Sequence, residues 1–261
     1  MPAQITDAMI VQWVGGFLWP FFRVAGFFMA VPLLGSQTLP ANIRLLFSMV
    51  VTLAILPMVP EVPQIDLISI EAFLVIGQQV LIGVAFAFVV QIVYQVFALA
   101  GQMYAMQAGL GFASMADPAN GVNTTVVAQF LVIGANLLFV TMNGHLALIQ
   151  ILADSFRLIP IGISGIDREF FWELVNLGGW MFAAAFLIVI PGVTALLMVQ
   201  AGLGIVTRAA PQLNIFSLGF PFMMTFSLLI AWIGLTTLTP HFENVFEYGL
   251  SFLNDWIESR A

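Results

Sequence analysis

The sequence predicts an all-α membrane protein built from about six long, broken apolar helices. Three observations carry that expectation. Hydrophobic residues make up 61% of the chain and charged residues only 7%, where a soluble domain carries about 25% charged residues. Several apolar runs exceed the roughly 20 residues that cross a bilayer. Proline, glycine and asparagine punctuation bounds or interrupts these runs, marking turns and helix breaks.

The first run spans Ala8 to Val31, with Pro20 as an expected kink and Arg23 in its interior. No Lys or Arg precedes it, so it reads as a retained helix rather than a cleaved signal peptide. Arg23 has two readings: snorkelling toward an interface, or pairing with another subunit or a cavity. A short link, Pro32 to Pro40, leads to the second run, Ala41 to Val59, which Arg44 opens and Pro57 and Pro60 stop. The loop from Pro60 to Glu71 carries Glu61, Asp66 and Glu71. Glu71 suits the positive end of the helix that follows.

The third run, from Ala72 to about Ala100, carries Gln78, Gln79, Gln91 and Gln95, with Gln102 and Gln107 just beyond it. An unpartnered buried amide costs a few kcal/mol, so this helix is expected to face protein or water on one side. The fourth run is predicted as a single element capped by Asn123-Thr124-Thr125 and reaching about Asp154. A break at Ile159 to Gly162 and a polar loop to Arg168 follow, with Asp167 as candidate cap of the fifth run, Glu169 to about Val206. That run carries Pro191-Gly192 midway. Arg208 to Asn214, with Pro211, forms a compact polar turn before the sixth run, Ile215 to about Leu238. The tail from Thr239 is acidic and amphipathic.

One stretch stands apart. Gly101 to Gly121, GQMYAMQAGLGFASMADPANG, closes a run without any charge that starts at Ala72 and ends at Ala116. Gly101, Ala105, Gly109 and Ala113 recur every fourth position, a stripe along which another backbone can approach closely. Gly109 and Gly111 each cost a helix about 1 kcal/mol relative to Ala, and Asp117-Pro118 is a breaker pair. The expected product is a helix that loosens into an apolar loop carrying Leu110, Phe112 and Met115. Irregular backbone at membrane depth is tolerated where it is buried in protein or lines a cavity, which makes the stretch a candidate gate.

The remaining chemistry is sparse. A net charge of −7 without a basic run argues against nucleic acid binding. With no cysteine, disulfides, thiolate metal sites and Cys nucleophiles are excluded. No metalloprotease, serine-hydrolase or phosphate-loop motif is present, and Gly202-x-Gly204 lacks a third glycine. His145 reads as a packed, hydrogen-bonded side chain. No enzyme, cofactor or metal is expected. Arginines in alternate loops split as Arg157, Arg168 and Arg260 against Arg44 and Arg208, which sets no orientation. A multi-span small-molecule or ion transporter is the alternative, drawn from Arg23, the broken helices and the glutamines. Transporters often show two related halves, and no internal repeat stands out.

Four blocks in order carry a family resemblance: RVAGFFMAVPLLGSQTLPANIR (Arg23 to Arg44), AGQMYAMQAGLGFASMADPANG (Ala100 to Gly121), NGHLALI (Asn143 to Ile149) and RAAPQLNIFSLGFP (Arg208 to Pro221). Together they resemble the FliR family, the flagellar member of a type III secretion export gate, with related T-type proteins in injectisomes. The family usually has a larger apolar residue where Ala108 stands.

The resemblance implies a structural pore subunit that passes unfolded flagellar proteins through the bacterial inner membrane at the flagellar basal body. It implies assembly with FliP and FliQ homologues, joined by an FlhB-type switch protein, in a helical pore. It also implies a FliP-like part over residues 1–160 and a FliQ-like helical hairpin with acidic tail over 161–261. The loop from Met106 to Asp117 would plug the pore, with Phe112 and Met115 as its blocking side chains among Gly109, Leu110 and Gly111. Arg23, Arg44, Gly101, Ala105, Asp117, Pro118, Arg208, Pro211 and Asn214 would serve structure and assembly.

Overall fold

In the computed structural model the described residues are 7–32, 40–60, 62–63, 65–66, 69–110, 125–163, 165, 168–210 and 219–259, with side chains from Val14 onward. All regular structure among them is helical. In chain order the helices are α1 (Asp7–Ala30), α2 (Ala41–Ile55), α3 (Ile70–Gln107), α4 (Val126–Thr141), α5 (Gly144–Leu158), α6 (Arg168–Ala209), α7 (Phe220–Gly234) and α8 (Leu238–Glu258). Single 3-10 turns, Leu56–Met58 and Leu235–Thr237, extend α2 and join α7 to α8. Among the described residues four helical stretches are long and apolar enough to cross a membrane, and a fifth results if α4 and α5 are counted as one broken span.

The structure departs from the sequence expectation at the fourth run. The fourth run is two helices, because Asn143 sits in the left-handed region (φ 56°) between α4 and α5. Asn is one of the few residues that enter this region readily, and its carbonyl accepts the first amides of α5 from Leu146 and Ala147. The fifth run is one helix, as its expected bounds imply: α6 continues through Pro191 for 42 residues. Proline's missing N–H leaves the Leu187 carbonyl without its helical donor, a loss that apolar helices tolerate when neighbouring groups re-satisfy it. The acidic tail, whose Phe242, Val245 and Phe246 stand at helical spacing, is the helix that spacing predicts: α8 buries these three with Leu253 and Trp256. Asp167 and Asn123-Thr124 lie outside the described residues. Thr125 caps α4, its side chain accepting from the Ala128 amide.

The chain divides into two compact units. One comprises Met1–Ile92, Asn143–Leu177 and Tyr248–Ala261; the other comprises Val93–Met142 and Gly178–Glu247. In the first, Trp19, Ile65, Ala72 and Val75 form an apolar cluster with Phe22 and Ile161 packed on it. There α1 and α3 touch backbone to backbone. A Cβ at Gly83 would overlap the Arg23 carbonyl oxygen, and one at Gly26 would lie 2.8 Å from the Val80 carbonyl oxygen. Phe28 of α1 meets Phe47 of α2 edge to face at 5.0 Å. In the second unit the core is aromatic: Tyr94 with Phe139, Phe139 with Phe246, and Phe97 with Phe242.

Candidate functional site

The candidate gate begins where α3 ends. Gly101 is buried, and a Cβ there would overlap the backbone of Ala128 at the start of α4. Ala105, one turn on, is fully buried. At Gly101, then, a second helix lies at contact distance. Ala108 is buried too.

The helix then stops for an identifiable reason. Gly109 has φ +78°, its amide donates to the Met106 carbonyl (3.2 Å), and the Leu110 amide donates to the Ala105 carbonyl (2.9 Å). These two bonds form a Schellman motif, which satisfies the last carbonyls of the helix and needs a left-handed residue that glycine supplies without steric penalty. The Phe220 ring, at the start of α7, lies 3.3 Å from where a Cβ of Gly109 would stand. Met106, 73% exposed, projects from the final turn.

Two further residues of the second unit hold this end in place. The Gln107 amide donates to Gln200 Oε1 (3.0 Å), and the Gln200 amide donates to the Gln107 carbonyl (3.3 Å), so one amide pair ties α3 to α6. One turn earlier Tyr104 packs against Gly192 and donates its hydroxyl to the Ser227 carbonyl of α7. Sequence reading singled out neither Gln200 nor Phe220. A lone glutamine in the apolar run of α6 was the available signal for the first. Gly111, Phe112, Met115, Asp117 and Pro118 lie outside the described residues, as do Pro211 and Asn214. Arg208 is exposed in the last turn of α6, where a cation suits the helix dipole.

Arg23 and Arg44 belong to the first unit. Arg23 is wholly buried, so it neither snorkels nor waits for another subunit. Its Nε donates to Gln79 Oε1 (2.8 Å), one terminal nitrogen to the Ser155 carbonyl and hydroxyl (2.9 and 3.0 Å), and the other to the Ile159 carbonyl (2.9 Å). Its guanidinium also lies 4.2 Å from the Phe156 ring centroid. The fixed fork of five donors is what allows one side chain to serve three directions. It joins α1 to α3 and to the last carbonyls of α5, where positive charge is favoured by the helix dipole. Arg44 donates to the Met29 carbonyl (3.2 Å) at the end of α1. Among the described residues no group of His, Asp and Glu is arranged to hold a metal ion.

These features belong to a packed, apolar helical protein in which the helix end before the candidate gate is firmly capped. A family model described as bacterial export proteins, family 1, matches residues 14–249. The flagellar biosynthetic protein FliR of Escherichia coli (strain K12) is 33% identical over 97% of this chain and 97% of its own. The chain belongs to the FliR family. The FliR of Pectobacterium carotovorum subsp. carotovorum is 34% identical over 94% of each chain, and that of Bacillus subtilis (strain 168) 26% identical over 91% and 92%. Such extended similarity puts this FliR-family chain among flagellar export proteins rather than enzymes. All four blocks that carried the resemblance fall inside the matched region.

Proposed function

We propose that the chain is a structural pore subunit of the flagellar type III export gate in the bacterial inner membrane, assembled with FliP and FliQ homologues and joined by an FlhB-type switch protein. Unfolded flagellar proteins pass through it, and the stretch from Met106 to Asp117 plugs it at rest, its part beyond Leu110 moving while Met106 to Leu110 stay with the end of α3. The observation that carries the reading is the capped end of α3, where Gly109 and the Gln107–Gln200 pair define the point from which that loop departs. A plug must move while its anchor stays, and a Schellman cap gives a helix end that does not unravel as the following residues shift. Phe112 and Met115 supply the bulk that excludes ions, with the flexible Met side chain the softer of the two seals. Residues 1–160 form the FliP-like part and 161–261 the FliQ-like hairpin. Family membership leaves no observation favouring a small-molecule transporter.

Two measurements test this. The native mass of the gently solubilised chain, with and without FliP and FliQ homologues, is expected to report a large hetero-oligomer containing a single copy. A stable monomer indifferent to those partners overturns the assembly. Replacing Phe112 and Met115 together with Ala is expected to raise ion leakage in cells assembling the gate, and unchanged conductance overturns the plug.

A further inference from the structure

Away from the loop, the first unit holds a cavity of about 350 Å³ between the start of α6 and the end of α8. Three aromatic rings, Tyr248, Phe252 and Trp256, line it together with the carboxylates of Glu173 and Asp255 and the amide of Asn176. One ring of this wall is held in place by its neighbours. Trp256 is 4% exposed and is held by Phe86 (5.6 Å, edge to face) and Phe170 (4.0 Å). Both carboxylates are on exposed residues and open to solvent.

We propose that this cavity receives a basic side chain, arginine above all, from another protein of the export apparatus. The chemistry is specific to a cation. Ring faces attract a guanidinium or ammonium through their quadrupoles. A guanidinium donates to carboxylates in a planar fork, and its three-carbon stem lies along Phe252. A ring already held spares the ordering entropy that a mobile one would lose on binding. The inference is independent of the plug, since every residue involved lies outside the loop.

The test uses the full chain in detergent, labelled with 5-fluorotryptophan, with the Trp256 fluorine signal assigned from a Trp256→Phe sample. N-acetyl-arginine methylamide is titrated against its neutral counterpart, N-acetyl-citrulline methylamide. The expected result is a saturable shift of the Trp256 signal with the arginine probe alone, weakened at least tenfold in Glu173→Gln/Asp255→Asn. Should that pair fail to fold, Ser259→Trp, which fills the rim and keeps both carboxylates, is expected to give the same loss. No saturable shift, an equal response to citrulline, or an unchanged affinity in both variants overturns the proposal. So does a response to short-chain phosphatidylethanolamine without one to arginine, which would assign the cavity to lipid.

Discussion

Arg23 and Gln79, 56 positions apart in the chain, meet through a 2.8 Å hydrogen bond inside the first unit, and neither side chain has any exposure to solvent. The four bonds that hold Arg23 all go to neutral acceptors, so its charge is stabilised by oriented dipoles. Removing one partner from such an arrangement leaves a buried group unpaired, which costs more than the bond itself contributed.

Arg23→Ala is therefore expected to lower stability by about 3–5 kcal/mol, the range for breaking a buried charged network. Arg23→Lys rescues only part of this, because an ammonium cannot reach three acceptors in the planar arrangement of a guanidinium. Gln79→Leu is expected to cost about 1–3 kcal/mol. Thermal unfolding of the detergent-solubilised chain ranks the three, and an Arg23→Lys variant as stable as the parent contradicts the account.

Gly83→Ala drives a methyl into the Arg23 carbonyl, and Gly101→Ala drives one into the backbone of Ala128. Each is expected to destabilise by at least about 1–3 kcal/mol, as overpacking does. Gly77 is the control, because nothing lies within 4 Å of where an added methyl would stand. Gly77→Ala should gain up to about 1 kcal/mol from helix propensity alone. Equal melting temperatures for all three variants would remove the close-approach argument.

At Gly109 the conformational demand and the packing can be separated. Gly109→Asn keeps access to the left-handed region, whereas Gly109→Ala does not. Both side chains meet the Phe220 ring. The Ala variant is expected to lose about 1–2 kcal/mol from the left-handed penalty, and the Asn variant less. Combining each with Phe220→Ala leaves only the backbone penalty, so the Ala–Asn gap should persist in that background when measured by chemical unfolding.

Gln200→Ala removes a partially exposed amide pair, and its effect on global stability is expected to stay under about 1 kcal/mol. The local effect is larger. Amide exchange at Gln107 to Leu110 is expected to accelerate several-fold while that of Val93 to Phe97 does not change, because only the helix end loses its tie. Uniform acceleration along α3 would show that the pair stabilises the whole helix instead.

Much of this arrangement could be read from residue order. Long apolar runs located the helices, and the four-residue spacing of Gly101 and Ala105 foretold a close helix contact that the overlap with Ala128 bears out. The split at Asn143 was less legible, because Asn-Gly inside an apolar run serves equally as helix interior or turn until tertiary contacts choose. Arg23 was visible as an anomaly, yet its partners Ser155 and Ile159 stand more than 130 positions away, beyond any local pattern. Gln200 and Phe220 were hidden for the same reason.

The length of α6 has a consequence for assembly. Its 42 residues extend about 63 Å, and even at the steepest common tilt of about 40° they would cover about 48 Å against a hydrocarbon slab near 30 Å. Trp172, Phe182, Phe186, Leu187, Leu197, Met198 and Ile205 stand exposed from one end of it to the other. Lipid can cloak only part of that column at once, so a lone copy always leaves greasy surface facing water. In the assembly proposed above, this surplus apolar length is the surface left for partner chains to cover.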